Sequence, residues 1–331
     1  MQDQLTWLHI SDIHFQSKTD WRDRTVTKGL LSFLRNTFEK DSSLKPDLIF
    51  CTGDLAFGEL SDSPIIEQYA QAQGFFDMLL EICGMNNLPL PKNRLFIVPG
   101  NHDVNRKAVD VYVQKLFSAW AEDAQSHVQE INRNFDAKPK EFIDIFRRLE
   151  EYREFVKNYL PHQHDKDGRT FYAKPVNING VKVGIAGFNS AWLCSGPENE
   201  DRKIWLAAQW QLNQAWELLD DSTIRIGLMH HPIDWVNSAE RSILTKRIST
   251  DFHFWLHGHA HEMWVLPAQS HVVIGAGAVG AEGSEEFGTN IVQLDLKRAT
   301  GKVELFGHTS GGRSWRRMSF EGHAPNGQWL F

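Results

Sequence analysis

The sequence predicts a layered α/β sandwich, and three observations carry that expectation. Short apolar, β-branched or aromatic runs alternate with segments of helical spacing along most of the chain. From Glu262 onward only short strands separated by glycines remain, and alternation with a β-rich tail suits layered sheets covered by helices. Polar residues also fall directly after strand after strand, which is where open α/β sheets bind their ligands.

Taken in order, "LTWLHI" reads as the first strand. "RDRTVTKGLLSFLRNTFEK" reads as a helix, because Leu30, Leu31, Leu34 and Phe38 recur on one face. "DLIFCT" is a second strand; a helix then opens at Ser63-Pro64 and runs through Cys83, with Gly84 as its stop. "RLFIV" is the third strand. Residues 105–160 carry no strand signal; Val109, Val113, Phe117 and Trp120, and later Phe142, Phe146, Leu149, Tyr152 and Val156, follow helical spacing. This predicts a helical hairpin inserted between two core strands, either a packing elaboration or a cap over the site.

"VNINGVKVGIAGF" is a β-hairpin turned at Asn179-Gly180. "DRKIWLAAQWQLNQAWELL" reads as a helix, "IRIGLM" as a strand, residues 238–249 as a helix and "HFWLH" as a strand. The β-rich part, residues 262–331, supplies "HVVIGAGAV", "NIVQLDL", "KVELFGH" and "WRRMSF", and residues 1–331 read as a single domain.

Composition sets the class. With 41% hydrophobic and 23% charged residues in 331, the chain can bury a core and is not a disordered composition. A net charge of -7 argues against a surface built for non-specific nucleic-acid binding. Cys51, Cys83 and Cys194 are odd in number and widely spaced, which fits reduced thiols in a cytoplasmic protein and not a disulfide framework. "MQDQLTWLHI" has neither the basic nor the apolar region of a signal peptide, and no apolar run approaches the ~18 residues of a spanning helix. No membrane partner is expected.

The residues that follow the strands are chemically coherent. After "LTWLHI" come Asp12 and His14, after "DLIFCT" comes Asp54, and after "RLFIV" come Asn101, His102 and Asp103. His230 and His231 follow "IRIGLM", and "HGHAH" supplies His257, His259 and His261. Imidazole, carboxylate and amide oxygen without thiolate suit Mn, Fe, Zn, Ni or Co better than Ca or Mg. There are too many ligands for one ion. A two-metal site needs a bridging carboxylate, and it can clamp phosphoryl oxygens and make hydroxide available near neutral pH.

In order, the motifs stand as "SDIH", "TGDL", "PGNHD", "MHHP" and "GHAH", spanning residues 12–261. This series resembles the calcineurin-like metallophosphoesterase superfamily. The resemblance implies a four-layer αββα sandwich and a dinuclear site of Mn, Fe or Zn. It implies that Asp12, His14 and His261 bind one ion, that Asn101, His230 and His259 bind the other, and that Asp54 bridges them. It implies that His102 assists the leaving group while metal-activated hydroxide attacks phosphorus. His230 is chosen over His231 because the family's ligand lies two places before the proline. His231, His257 and Asp103 are left to stand behind the ligands or to meet substrate.

One departure narrows the substrate. Protein phosphatases of the superfamily carry Gly-Asp-x-x-Asp-Arg-Gly, whose second Asp orients the catalytic His; here the segment is "GDLAFGE", with Phe57 at that position. Asp103 is then a candidate orienter. "LHISDIHF" and "PGNHD" resemble the phosphodiesterase branch, so a phosphodiester substrate is expected, with a phosphomonoester as an alternative. A nuclease is the main rival, because "GGRSWRRMSF" gathers Arg313, Arg316 and Arg317 beside Trp315 and could hold phosphate and stack a base. A non-catalytic binding module is disfavoured, because such proteins lose ligands and this sequence retains every expected one.

Overall fold

The computed structural model describes residues 4–195, 203–268, 270–280, 286–309, 314–320 and 322–331. In chain order, β1 (Gln4–Ile10), α1 (Thr25–Lys40), β2 (Leu48–Cys51), α2 (Ile65–Cys83) and β3 (Leu95–Ile97) come first. A helical stretch follows, made of α3 (Val111–Glu122), α4 (Ala124–Ala137), α5 (Lys140–Ile143) and α6 (Glu150–Tyr159). Then come β4 (Tyr172–Ile178), β5 (Val181–Gly187), α7 (Ala208–Leu219), β6 (Ile224–Leu228), α8 (Ser238–Asp251) and β7 (Phe254–His257). The chain ends in β8 (Trp264–Pro267), β9 (Val272–Gly275), β10 (Glu286–Asp295), β11 (Thr300–Thr309), β12 (Arg316–Arg317) and β13 (Gln328–Leu330).

Among the described residues the strands form two sheets. One runs β12-β11-β10-β1-β2-β3, with β13 paired to β11; the other runs β4-β5-β6-β7-β9-β8. Each has a parallel heart: β1, β2 and β3 in the first, and β5, β6, β7 and β9 in the second. Because side chains alternate along a strand, each strand serves two cores. Leu5 and Trp7 of β1, Phe50 of β2 and Phe96 of β3 join Ile185, Leu228 and Leu256 in a core between the sheets. Leu8, Ile10, Ile49 and Ile97 belong instead to the core under the helices, with Leu30, Leu34 and Phe76. The four-layer αββα sandwich follows from that double use.

The Asn179-Gly180 turn forms as predicted, with φ of 53° and 88° at its two residues. Both lie in the left-handed region that a two-residue hairpin turn of this hand requires. α2 likewise begins just after Pro64 and stops at Gly84.

Two expectations need correction. The insertion is helical, but it is not a two-helix hairpin: α3 breaks at Asp123, and α4 ends at Lys138, in the left-handed region, before Pro139. α6 packs on α2 while α4 packs on α7 and α8, so the insertion ties the two helical layers together. Buried Arg148 fixes it further, donating to the carbonyls of Leu193 at 3.0 Å and Cys194 at 2.9 Å. Secondly, the helix expected over "DRKIWLAAQWQLNQAWELL" starts only at Ala208. The buried Glu240 carboxylate accepts the N–H groups of Leu206 at 2.8 Å and Ala208 at 2.7 Å, and this fixes a non-helical lead-in whose last residue, Ala207, is left-handed.

Candidate metal centre

The parallel strands of both sheets deliver their carboxyl ends to one place. The loop after β1 is stitched to the loop after β2 by bonds from Asp12 N–H to the Gly53 carbonyl (3.1 Å) and from His14 N–H to the Asp54 carbonyl (3.0 Å). In the other sheet, Gly258 N–H donates to the His230 carbonyl at 3.0 Å. The sheets are joined across the site by His259 N–H, which donates to Asp12 Oδ2 at 3.0 Å.

Five predicted ligands sit in the left-handed region: Asp12 (φ 54°), His14 (51°), Asp54 (52°), His259 (67°) and His261 (57°). This region costs an ordinary L-residue about 1–2 kcal/mol, and such residues persist only where their surroundings over-determine them. Here the left-handed turns carry the chain away from each strand direction, so that Asp12, His14, Asp54, His259 and His261 can face one point.

Their polar atoms converge. Asp54 Oδ2 lies 3.6 Å from His14 Nε2 and 3.4 Å from His230 Nε2. Asp12 Oδ1 lies 3.3 Å from His261 Nε2 and 3.8 Å from His14 Nε2. On the other side, His230 Nε2 is 3.0 Å from Asn101 Oδ1 and 3.2 Å from His259 Nδ1. The combinations Asp12–His14–His261 and Asp12–Asp54–His230 each hold their ligand atoms within 4.8 Å of one another, as do His14–Asp54–His102 and His230–His231–His259.

The donor set fits metal. Asp12 Oδ1 and both ring nitrogens of His14 are buried without a hydrogen-bond partner, and buried polar atoms of that kind call for an ion or water. Burial pushes the Asp54 carboxyl up, but His230 and His102 beside it hold it well below the usual range. Burial, reinforced by His102, pulls His14 down to about 4 against the pull of Asp54, and burial with His230 takes His259 to about 3. Ionised carboxylates and neutral imidazoles are the forms that ligate. His230 behaves differently: burial lowers it, yet Asp54 and Asp12 outweigh burial and raise it to about 9.

Supporting contacts orient the rings. His230 Nδ1 donates to the Thr52 carbonyl at 2.7 Å, which leaves Nε2 for a ligand role. Thr52 Oγ1 in turn lies 2.9 Å from Nε2 of His9, a fully buried histidine inside β1 that no strand-end motif marks. His102 Nδ1 donates to the backbone carbonyl of Phe57 at 2.6 Å, and its N–H donates to Asp54 Oδ1 at 2.8 Å. Phe57 therefore orients His102, through its main chain, and the Asp103 candidacy falls. Asp103 ties the loops instead: its carboxylate accepts the N–H groups of Ala56 (3.0 Å) and Gly100 (2.9 Å) and the Tyr69 hydroxyl (3.1 Å).

His231 is fully buried behind His259, with Nδ1 2.8 Å from Ser190 Oγ. His257 is buried at the end of β7, donates from Nδ1 to the Gly258 carbonyl at 3.0 Å and packs on Trp264. Neither ring is open to substrate. The basic cluster of the tail also changes character. Trp315 is 4% exposed and its Nε1 donates to the Val26 carbonyl at 2.8 Å, so it is not available to stack a base. Arg317 pairs with Glu304 at 2.6 Å, Arg316 is exposed, and Arg313 lies outside the described residues.

The family model for calcineurin-like phosphoesterases matches residues 5–263, which include every residue of this site. The chain belongs to that family. Its relative YydB of Bacillus subtilis (strain 168), an uncharacterized metallophosphoesterase-like protein, is 21% identical over 267 residues. That match covers 78% of this chain but 49% of YydB, so the chain spans about half the length of this curated relative. Among solved structures, a dimetal phosphatase from Danio rerio superposes with a TM-score of 0.50 at 11% identity, covering 94% of this chain and 98% of that one. GAP50, the anchor in the inner membrane complex of Plasmodium, gives 0.46 at 12% identity over 92% and 88%. The Danio rerio likeness concerns the fold alone. No helix among the described residues of this calcineurin-like phosphoesterase is long and apolar enough to cross a membrane.

Proposed function

We propose that the chain hydrolyses phosphodiesters in preference to monoesters at a pair of transition-metal ions, of which Mn, Fe and Zn suit the donors best. The convergence of seven ligand side chains from five strand ends, with Asp12 and His14 atoms buried and unpartnered, carries the reading. Asp12, His14 and His261 would hold one ion, Asn101, His230 and His259 the other, and Asp54 would bridge. When bound, the ions supply Lewis-acid charge to phosphoryl oxygens and lower the pKa of water to about 7.

The chain's own residues do the rest. With its Nδ1–H held on the Phe57 carbonyl, His102 keeps Nε2 for the proton that a leaving oxygen takes. Asp54 accepts the main-chain N–H of His102 and so fixes the backbone of that residue relative to the ligands. The Phe57 ring packs 5.6 Å from the His102 ring, where protein phosphatases of the superfamily carry an Asp. An apolar neighbour there suits a singly charged diester better than a doubly charged monoester.

The nuclease reading loses its support with Trp315 buried and the net charge at -7. Cys51, Cys83 and Cys194 are buried and not joined by disulfides, which supports a cytoplasmic assignment. The test is a panel on Mn-loaded protein: a bis-aryl phosphate, an aryl monoester, a cyclic nucleotide and single-stranded DNA, each over a range of salt. The bis-aryl ester is expected to turn over fastest, nearly indifferent to moderate salt. Turnover confined to the monoester, or to DNA with a steep salt dependence, would overturn the reading.

A further inference from the structure

One cavity of the molecule shares a wall with the candidate metal centre. It measures about 210 Å³, and His261, whose Nε2 faces Asp12, forms one side. Met263, Phe287, Met318 and Phe320 supply the apolar walls. The floor is backbone, since Gly277 and Gly288 meet there so closely that a Cβ on Gly277 would lie 2.9 Å from the Gly288 Cα. The walls therefore come from the loop after β7 and from the β10–β12 region.

From this we infer that the cavity receives the ester group that stays on phosphorus, and that this group is a neutral, single-ring aromatic. The inference rests on the phosphodiester reading above. Size argues for one ring, because about 150 Å³ is enough to hold benzene. Chemistry argues for an aromatic, because two thioethers and two phenyl rings give sulfur–aromatic and edge-to-face contacts around it. Charge argues for neutrality: Glu262 stands exposed on the rim, so a substituent with its own phosphate or carboxylate meets a like charge. Position separates this group from the leaving group. His102 packs against Phe57 and His14, and neither His102 nor Phe57 lines the cavity.

The experiment compares two diesters with the same leaving group, bis(4-nitrophenyl) phosphate and methyl 4-nitrophenyl phosphate, on the Mn-loaded protein. Binding of phenylphosphonate and methylphosphonate is measured alongside by calorimetry, so that a readout without turnover exists. The aryl ester should have a KM about tenfold below that of the methyl ester, and phenylphosphonate should bind about tenfold tighter. Met318→Trp, which fills the cavity, should erase both differences while leaving the methyl compounds within about twofold. Phe320→Leu, a milder change, should reduce both differences and guards against misfolding of the first variant.

Equal KM for both esters with equal phosphonate binding would overturn the cavity assignment while leaving the hydrolase reading intact. Preferential phenylphosphonate binding that Met318→Trp removes, in a protein that hydrolyses neither ester, would sustain the cavity and overturn the hydrolase reading. Loss of the methyl and aryl compounds to the same extent in both variants would also overturn the cavity assignment.

Discussion

Gly100→Ala adds one methyl group and removes no chemical group, so it tests the geometry of the centre alone. A Cβ built on Gly100 would lie 2.5 Å from the Asp54 backbone nitrogen and 2.8 Å from its Cγ. Ordinary contact begins at 3.4 Å, so the loop carrying Asn101 and His102 must move about 1 Å from Asp54. Overpacking of this kind costs about 1–3 kcal/mol. A displacement of about 1 Å at a reacting centre costs about 10²-fold in rate. Both effects should appear together in urea unfolding and in turnover of a bis-aryl phosphate with Mn. The matched control is Gly29→Ala within α1, where the added Cβ meets nothing closer than Trp315 Cδ1 at 3.4 Å. That change should stabilise by about 0.5–1 kcal/mol and leave turnover alone. If Gly100→Ala unfolded and turned over like the parent protein, the separation of the two loops would not matter, and the reasoning from the Asp54 contacts would be wrong.

Two other outcomes are expected. His102→Ala should lower turnover about 10²–10⁴-fold with bound metal unchanged, and the loss should be larger for an alkoxide leaving group than for 4-nitrophenolate, which departs without a proton; equal losses would remove His102 from the leaving-group side. Stability should fall as pH drops below about 6.5, because burial, reinforced by His257, holds His9 at about 3 in the folded state. The unfolded chain then binds a proton that the folded one refuses, which costs about 1.4 kcal/mol per pH unit from this group down to about pH 3; urea unfolding between pH 7.5 and 5.5 should show a shallower slope in His9→Gln.

Much of this was legible because the relevant signals are local. The strands are short apolar runs, the hairpin announces itself as Asn179-Gly180, and each ligand follows a strand within a few residues. What escaped is set by contacts distant in sequence. The start of α7 depends on Glu240, over thirty residues further on, whose buried carboxylate fixes the lead-in. The orienter of His102 is a main-chain carbonyl, and no residue type at position 57 could have announced it. Spacing likewise placed His231 beside His230, but only packing against Ser190 separates their environments. The breaks in the insertion, at Asp123 and before Pro139, were not read from the sequence, because the apolar spacing on either side of them is helical throughout. Trp315 misled for a related reason, since an aromatic among arginines reads the same whether its ring is buried or open.

Metal content measured beside turnover decides whether two metal ions share Asp54. Parent protein and Asp54→Ala would be loaded with Mn, freed of excess, and assayed for bound metal and for bis-aryl phosphate hydrolysis. Two ions per chain are expected in the parent, with both ions and the turnover lost together in the variant. A variant that kept its two ions, or a parent fully active with one, would contradict it.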